Sequence, residues 1–293
     1  MRLSRARRAL KASIRTALGK IGLEPVRHDT AIYDARGLTT DPIEAASRAG
    51  LRPFLIDVPT ENCRIMPGAA FACAAGVGNP FVDTLAQYAA GRLTGYSGSP
   101  LNDFHRQWQP QSAVEVLGVG PQGLGNGLET AGPFGMIMPF SPQSPQDAER
   151  RWRQMIENDN IEHAISGDAA MGWKGWGPVS LELGEAEIVR LTRVFASISE
   201  RGYVRNDTRD GDIKGVVLFD GKDFRIMITG GHHRAAALAV LGHATAPVRI
   251  DHPIARRAEV IHWPAVTSGY FDPAAALAVF DRIFAGRQPW SQI

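Results

Sequence analysis

The sequence predicts an α+β fold, with a small mixed sheet and helices, and three observations in its second half support this prediction. A helical apolar period runs from about residue 185 to residue 201 and stops at Gly202. Two apolar runs flank Asp220-Gly221, a dipeptide that is typical of a tight β-hairpin turn. The second run enters Gly230-Gly231, after which a new helical pattern begins. Helices and a hairpin therefore alternate within a short stretch of chain.

The predicted elements of this half follow one another from residue 178 to residue 286. They are a strand at 178–181, a helix at 185–201, hairpin strands at 216–219 and 224–229, a helix from about 232 to 241, a strand at 246–250, and a last helix. The last helix begins at Asp272-Pro273, an N-cap residue followed by proline at the first helical position, and it ends before Gly286.

The chain divides into three predicted regions. Residues 1–27 form a basic amphipathic helix, residues 28–145 form an irregular α/β region of unknown role, and residues 146–293 form the domain described above with its C-terminal helix. The boundary near residue 145 is suggested by a segment in which prolines alternate with Ser and Gln. Its prolines are Pro133, Pro139, Pro142 and Pro145.

Charge is distributed unevenly along the 293 residues, although the net charge is only +2. Residues 1–27 hold eight Arg or Lys against Glu24 alone, so the remaining chain is mildly acidic and is a poor candidate for broad nucleic-acid binding. One face of residues 2–21 is apolar. Several roles are open for this helix: it lies on an anionic membrane surface, it contacts nucleic acid, or it packs on its own domain or is a frayed arm with a solvated face.

Composition and local sequence argue against a disordered chain, a secreted protein and a disulfide-stabilised fold. Hydrophobic residues make up 44% and charged residues 21%, which is typical of a folded globular chain. Arg15 and Lys20 interrupt the apolar run where a signal peptide needs its core, so we expect a cytoplasmic protein, with peripheral contact to the inner membrane as one alternative. Cys63 and Cys73 are too few for a disulfide framework, and we interpret both as reduced thiols.

Three further features have competing interpretations. Trp173 and Trp176 either form an aromatic shelf for a base or sugar, or pack beneath a loop. The motif from Gly118 to Gly123 matches G-x-G-x-x-G, but further glycines follow it where a helix is needed, so we do not expect a dinucleotide site. The pair His232-His233 lacks the i, i+4 spacing of a zinc helix, so no metal site is predicted there.

The most informative stretch is the strand that ends at Thr229 and enters Gly230-Gly231 before a helix. A helix N-terminus that follows glycines offers free backbone N–H groups and a positive dipole end, both of which favour an anion such as phosphate. Arg234 lies in the first turn of that helix and can add a bidentate contact. The alternative is an ordinary glycine turn with an exposed histidine pair and a surface arginine.

The run from Gly230 to Ala237, with Leu241-Gly242 and Pro247-Val248 after it, resembles the signature of the ParB/sulfiredoxin-like superfamily. The resemblance covers about residues 178–252, a quarter of the chain. In that superfamily a G-x-x-R element after a β-hairpin begins a helix and binds nucleotide phosphates. The sequence departs from sulfiredoxin because His232 stands where the catalytic cysteine belongs. It also departs from the partition proteins, because no helix-turn-helix pattern follows the motif.

The resemblance implies a nucleotide ligand, either a nucleoside triphosphate or a diphosphate (ATP, ADP or CTP), bound with Mg²⁺. The residues expected to bind it are Thr229, Gly230, Gly231, His232, His233, Arg234 and Arg205. Phosphoryl transfer also needs a carboxylate or another base to orient or deprotonate the acceptor. Asp207, Asp210 and Asp212 before the hairpin, and Glu182, Glu185 and Glu187 at the preceding helix, are the acidic candidates. From these groups we select Asp212, Glu185 and the proton-carrying His233 as catalytic candidates.

The expected function is therefore nucleotide binding, with Mg-dependent phosphoryl transfer to a small hydroxylated metabolite, or NTP hydrolysis coupled to it. The basic helix at residues 2–21 is similar to those that open bacterial surface-polysaccharide proteins, which suggests that metabolic setting. Two alternatives stay open: a ParB-like DNA-binding or nuclease protein without kinase activity, and a non-catalytic adaptor. The sequence predicts no oligomeric state.

Overall fold

One mixed β-sheet runs through the computed structural model, which describes residues 31–66, 68–162, 174–205, 211–251 and 254–292. Within these residues the strand order is β1-β2-β7-β5-β6-β3-β4, and β8 pairs with the C-terminal end of β5. The strands are β1 (Tyr33–Asp34), β2 (Phe54–Pro59), β3 (Cys63–Ile65), β4 (Phe71–Ala72), β5 (Ile213–Phe219), β6 (Phe224–Gly230), β7 (Thr245–Ile250) and β8 (Ala255–Arg256).

Helices surround this sheet. They are α1 (Pro42–Ala49), α2 (Pro80–Ala89), α3 (Pro100–Gln107), α4 (Ala113–Leu117), α5 (Pro145–Glu162), α6 (Leu181–Arg201), α7 (His232–Val240), α8 (Pro264–Thr267) and α9 (Pro273–Ala285). Short 3-10 turns lie at Thr60–Asn62, Pro133–Gly135, Arg257–His262 and Pro289–Gln292. The protein therefore has a mixed α/β fold in which parallel and antiparallel strand pairs alternate. No helix among the described residues is both long and apolar enough to cross a membrane.

The hairpin and the helix ends follow from local chemistry that the sequence already displays. The Asp220 carboxylate accepts the N–H groups of Lys222 and Asp223, both at 2.8 Å, and so closes the turn between β5 and β6. Asp272 accepts the N–H of Ala275 at 2.7 Å at the start of α9. Gly286, at φ 74°, ends that helix in the left-handed region.

One predicted element is wrong. Residues 178–180 form no strand, and Leu181 begins helix α6 instead of ending a strand. The reason is the cap at Ser180, whose hydroxyl oxygen accepts the N–H of Leu183 at 3.2 Å. Helix α6 therefore starts four residues before the predicted helix and ends, as predicted, at Gly202.

The sheet joins the two regions that the sequence placed on either side of residue 145. Strand β2 pairs with β7 over six residues, and β3 pairs in parallel with β6. The strands of the irregular region thus occupy both flanks of the hairpin, and the fold is not divided at the predicted boundary. The predicted amphipathic helix at residues 2–21 lies outside the described residues, as do Trp173, Asp207 and Asp210.

Helix α7 lies between the sheet and α6, which places the glycine motif at a three-way junction. It contacts β5 and β7 on one side and α6 on the other. Its residues Ala235, Ala236 and Ala237 are fully buried, and these small side chains let the helix approach the sheet closely. The first turn of α7 is consequently held in place by the core while its N-terminal end faces the start of β5.

Candidate functional site

A β-bulge at Thr229 and the left-handed conformation of Gly231 turn the chain from strand β6 into helix α7. Gly215 pairs with Ile228 and Lys214 pairs with Gly230, so Thr229 is the extra residue of the bulge. Gly231 then adopts φ 80°, and a Cβ atom there would lie 3.0 Å from the Cα of Ile213. Gly231 is the N-cap of α7 and brings no side-chain hydrogen bond to the first-turn amides. The predicted helix N-terminus therefore exists, with the glycines where the turn requires them.

An open pocket of about 580 Å³ is lined by two of the predicted phosphate-binding residues, Arg205 and Arg234. The other five, Thr229, Gly230, Gly231, His232 and His233, do not line it. The C-terminal half of α6, the segment 202–205 that follows it, and Arg234 of α7 line the pocket. Its polar wall carries four arginines, Arg193, Arg201, Arg205 and Arg234. Its apolar wall consists of Val194, Ile198, Tyr203 and Val204. The two walls together suit a ligand that is anionic at one end and apolar at the other.

Three of the four pocket arginines have no acidic partner among the described residues. Within the part of the chain that the structure describes, no carboxylate lies within salt-bridge distance of Arg193, Arg201 or Arg234, and Arg201 donates only to the Ser197 hydroxyl, at 2.6 Å. Guanidinium groups that converge without acidic partners repel one another, and a bound anion removes that repulsion. The arginines that line the pocket therefore favour an anionic ligand.

Arg205 is the one pocket arginine whose described partner is an acid, and that acid is Asp212. The guanidinium holds both carboxylate oxygens, at 2.8 Å and 3.3 Å, and Arg249 approaches the same carboxylate at 3.6 Å. The side chain of Asp212 is 2% exposed. Asp212 is therefore buried against two guanidiniums, and it does not line the pocket. The sequence predicts Asp212 as a carboxylate that orients or deprotonates the acceptor; its position does not support that role and makes it an orienting partner of Arg205.

Glu185 lies outside the pocket. It is in the second turn of α6, about 12 Å along the helix before Arg193, the first pocket residue of that helix. Its carboxylate accepts the backbone N–H of Tyr96 at 2.8 Å. The selection of Glu185 as a catalytic residue is therefore corrected: it ties the loop before α3 to α6.

The acid that meets the glycine motif is Glu187, which the sequence offered only as one of a group. His233 Nε2 lies 2.7 Å from a Glu187 carboxylate oxygen, and the Glu187 side chain is 3% exposed. Burial disfavours the charged carboxylate, but His233, Lys174 and Arg190 outweigh that effect and hold the pKa of Glu187 well below its usual value. The buried carboxylate is therefore ionised and fixes the imidazole of His233.

A signal for Glu187 was present in the helix pattern. It precedes Leu191 by four residues and Val194 by seven, so it shares a face of α6 with residues that pack inward. Glu185 lies two residues earlier and therefore points in another direction. The sequence alone did not show which of the two faces meets α7.

The position of His232 does not support the prediction that this residue binds phosphate. Its Nδ1 accepts the backbone N–H of Met66, at 3.3 Å, and it does not line the pocket. Burial, reinforced by Lys174 and His233, lowers the pKa of His232 to about 3. The ring is therefore neutral at physiological pH and serves to hold α7 against the segment after β3.

The remaining candidates behave as packing residues. Trp176 is 3% exposed and its ring lies 5.3 Å from that of Phe134, which favours the packing alternative. Cys63 and Cys73 are buried free thiols, and burial raises the pKa of Cys63 to about 12. Gly118 follows helix α4 and not a strand, so its motif lacks the context of a dinucleotide site.

The described ranges contain no cluster of three or more His, Cys, Asp or Glu that could hold a metal ion. No protein-family model, curated protein or solved structure matches this chain.

Proposed function

We propose that this chain binds a nucleoside di- or triphosphate, such as ATP, ADP or CTP, with its phosphates in the arginine pocket beside α7. The observation that supports this most directly is the convergence of Arg193, Arg201, Arg205 and Arg234 on one open pocket of about 580 Å³. That volume lies within the usual range of small-molecule sites, about 300–1,000 Å³. Guanidinium groups bind phosphate oxygens bidentately, which makes arginine the side chain best suited to this ligand.

The remaining parts of the pocket fit the rest of a nucleotide. The positive end of the α7 dipole adds to the attraction of Arg234 for an anion. The side chains of Val194, Ile198 and Tyr203 offer an apolar surface on which a base or sugar can lie. Arg205 is held in the pocket by Asp212, so its geometry is set before a ligand arrives.

The order of elements supports a ParB/sulfiredoxin-like fold for this half of the chain. Helix α6 precedes the β5–β6 hairpin, the glycine motif begins α7, and β7 follows. This order is the one in which the G-x-x-R element of that superfamily occurs. We propose the activity of this site as Mg-dependent phosphoryl transfer to a small hydroxylated metabolite, or hydrolysis of the nucleotide.

The proposed Mg²⁺ would be held chiefly by the nucleotide. Mg²⁺ usually keeps several waters and binds through substrate phosphates with one or two carboxylates. The described residues that surround the pocket provide no cluster of such ligands, and Asp212 is committed to Arg205 and Arg249. When bound, the ion neutralises phosphate charge during transfer, while the arginines of this chain bind and orient the phosphates.

The proposal is tested by calorimetric titration of ATP, ADP, CTP and GTP, each with Mg²⁺, into the wild type and Arg234→Ala. We expect one nucleotide to bind and the variant to bind it about 10- to 150-fold more weakly, because a charged hydrogen bond is worth roughly 1.5–3 kcal/mol. Arg92→Ala is the matched control, since Arg92 is exposed and lies outside the pocket.

Two results would overturn the proposal. One is that none of the four nucleotides binds the wild type. The other is that Arg234→Ala binds as tightly as Arg92→Ala. Binding of duplex DNA in their place, with an affinity that falls steeply with salt, would support the DNA-binding alternative.

A further inference from the structure

Ser197 lies on the pocket wall between two arginines of the same helix. Arg193 precedes it by four residues, Arg201 follows it by four, and all three side chains line the pocket. Residues four apart share a face of a helix, and they are separated by about 6 Å along its axis. The Ser197 hydroxyl therefore occupies the middle of the wall that α6 contributes to the pocket.

The hydroxyl oxygen of Ser197 is already used as an acceptor. Arg201 Nη2 donates to it at 2.6 Å, and because a guanidinium can only donate, the direction of this bond is settled. The hydroxyl keeps one proton of its own to donate. Thr192, earlier on the same helix, gives its proton to the carbonyl of Ile188 at 2.8 Å, but Ser197 makes no such bond to any described residue. The Ser197 proton is therefore available to another acceptor.

The side chains that line the pocket offer mainly hydrogen-bond donors. The charged ones are four arginines, which donate only. The described residues that line the pocket include no carboxylate, amide or imidazole side chain, and the second hydroxyl, that of Tyr203, is buried. A ligand that displaces water from the pocket therefore has to supply the acceptor for the Ser197 proton, and an ionised phosphate oxygen is a strong acceptor.

We infer that Ser197 and Arg201 bind one phosphate group of the nucleotide as a unit. The inference rests on the proposed function and adds a ligand contact to it. In this unit Arg201 donates both to the phosphate and to the Ser197 oxygen, and Ser197 donates its proton to the same phosphate. A hydroxyl that accepts from a cation is polarised and donates more strongly. Ser197 thus contacts the ligand and also holds Arg201 in place before the ligand arrives.

The competing role of this contact is purely structural. Arg201 is the last residue of α6, and in that role its bond to Ser197 only stabilises the final turn of the helix. The structural role predicts that removing the hydroxyl lowers the melting temperature and leaves nucleotide affinity unchanged. The binding role predicts weaker nucleotide binding, and it makes the effect of changing one residue depend on the presence of the other.

The experiment measures, by calorimetry with Mg²⁺, the Kd of whichever of ATP, ADP, CTP and GTP binds the wild type most tightly. The variants are Ser197→Ala, Ser197→Thr, Arg201→Gln and the double variant that combines Ser197→Ala with Arg201→Gln. Ser199→Ala is the matched control, because Ser199 is an exposed serine of the same helix and does not line the pocket. Circular dichroism gives the melting temperature of each protein.

The binding role sets the expected affinities. We expect Ser197→Ala to raise Kd about 10-fold, the change that follows from losing one hydrogen bond to a charged group. Ser197→Thr keeps the hydroxyl and should stay within about threefold of the wild type. The Kd of the double variant should be lower than the product of the two single changes predicts, by about threefold or more, because either substitution alone already breaks the unit. Ser199→Ala should leave Kd unchanged.

Three results would overturn the inference. A Kd for Ser197→Ala equal to that of Ser199→Ala does so, whatever the melting temperature, and leaves nucleotide binding intact. Single losses that multiply in the double variant do so as well, because the two residues then act independently. Failure of the wild type to bind any of the four nucleotides overturns the inference together with the proposed function. If Arg201→Gln does not fold, equal weakening in Ser197→Ala and Ser197→Thr refutes the role of the hydroxyl.

Discussion

Replacing Arg205 with methionine should destabilise the fold because it leaves a buried carboxylate without its main partner. Asp212 is 2% exposed and is held by Arg205 at 2.8 Å and 3.3 Å, with Arg249 at 3.6 Å as its second cation. Removing one partner of a buried ion pair typically costs about 3–5 kcal/mol. Because Arg249 stays nearby and the Arg205 side chain is 22% exposed, we expect a loss somewhat below that range, about 2–3 kcal/mol.

Replacing the acidic partner, Asp212, should lower the free energy of unfolding less than replacing Arg205. Asp212→Asn removes the charge of the Arg205–Asp212 pair, but water can reach the Arg205 guanidinium, so we expect a loss of about 1 kcal/mol. Adding Asp212→Asn to Arg205→Met should then recover part of the lost stability, since the uncompensated buried charge disappears. Urea unfolding followed by tryptophan fluorescence gives the free energy of unfolding for each variant and the coupling energy between the two sites.

The control for this cycle is Arg36→Met. Arg36 makes a comparable paired contact with Asp34, but the two side chains are 36% and 50% exposed, so the same substitution should cost less than about 1 kcal/mol. Equal losses for Arg205→Met and Arg36→Met would refute the reasoning. A double variant less stable than Arg205→Met alone would refute it as well.

Three further predictions concern the glycine motif, acid stability and α9. Gly231→Ala should lower the free energy of unfolding by about 1–2 kcal/mol because the backbone is left-handed, and by a further amount because the new Cβ atom would lie 3.0 Å from the Cα of Ile213. Gly37→Ala, at φ 70° and in open space, should cost only the backbone part, so equal urea midpoints for the two variants would contradict this prediction. His232 takes up its proton near pH 6.5 when unfolded and only near pH 3 when folded, so stability should fall as pH drops from about 6.5 to 3, by up to about 1.4 kcal/mol per pH unit. In His232→Gln that part of the decline should disappear from urea titrations, and an unchanged slope would count against a buried neutral ring. Asp272→Ala should lower the free energy of unfolding by about 1 kcal/mol through loss of the N-cap, and a loss below about 0.3 kcal/mol would show that the cap is dispensable.

The elements that the sequence predicted well are those whose ends are set by local chemistry. Asp220-Gly221 specified the hairpin, Asp272 and Gly286 bounded α9, and Gly202 ended α6. In each case a side chain or a glycine satisfies backbone groups only a few residues away. Such signals do not depend on the rest of the fold, so they can be read from a short window of sequence.

The strands before residue 73 could not be predicted in the same way. β3 and β4 have three and two residues, and they gain their hydrogen bonds from each other and from β6. A strand this short has no readable period, and its partner lies about 160 residues away in the chain. These residues become strands because they pair with β6 and with each other in the folded protein, and a local sequence pattern cannot predict that pairing.

The candidate site was predicted in part. The glycine turn and Arg234 were found from the strand-to-helix pattern, and the structure adds Arg193 and Arg201 from α6. Those two arginines look like ordinary solvated helix charges in the sequence. They become neighbours of Arg234 only through the packing of α6 on α7, which depends on the shapes of both helices.

The interleaved strand order also constrains how this protein can be made. Strand β2 is complete at residue 59, but its partner β7 begins at residue 245. At a synthesis rate of about 5–20 residues per second, the ribosome needs roughly 10–40 s to deliver that partner. During that interval the backbone N–H and C=O groups along the β7 side of β2 have no native partner, and an unpaired strand edge of this kind favours association with other chains.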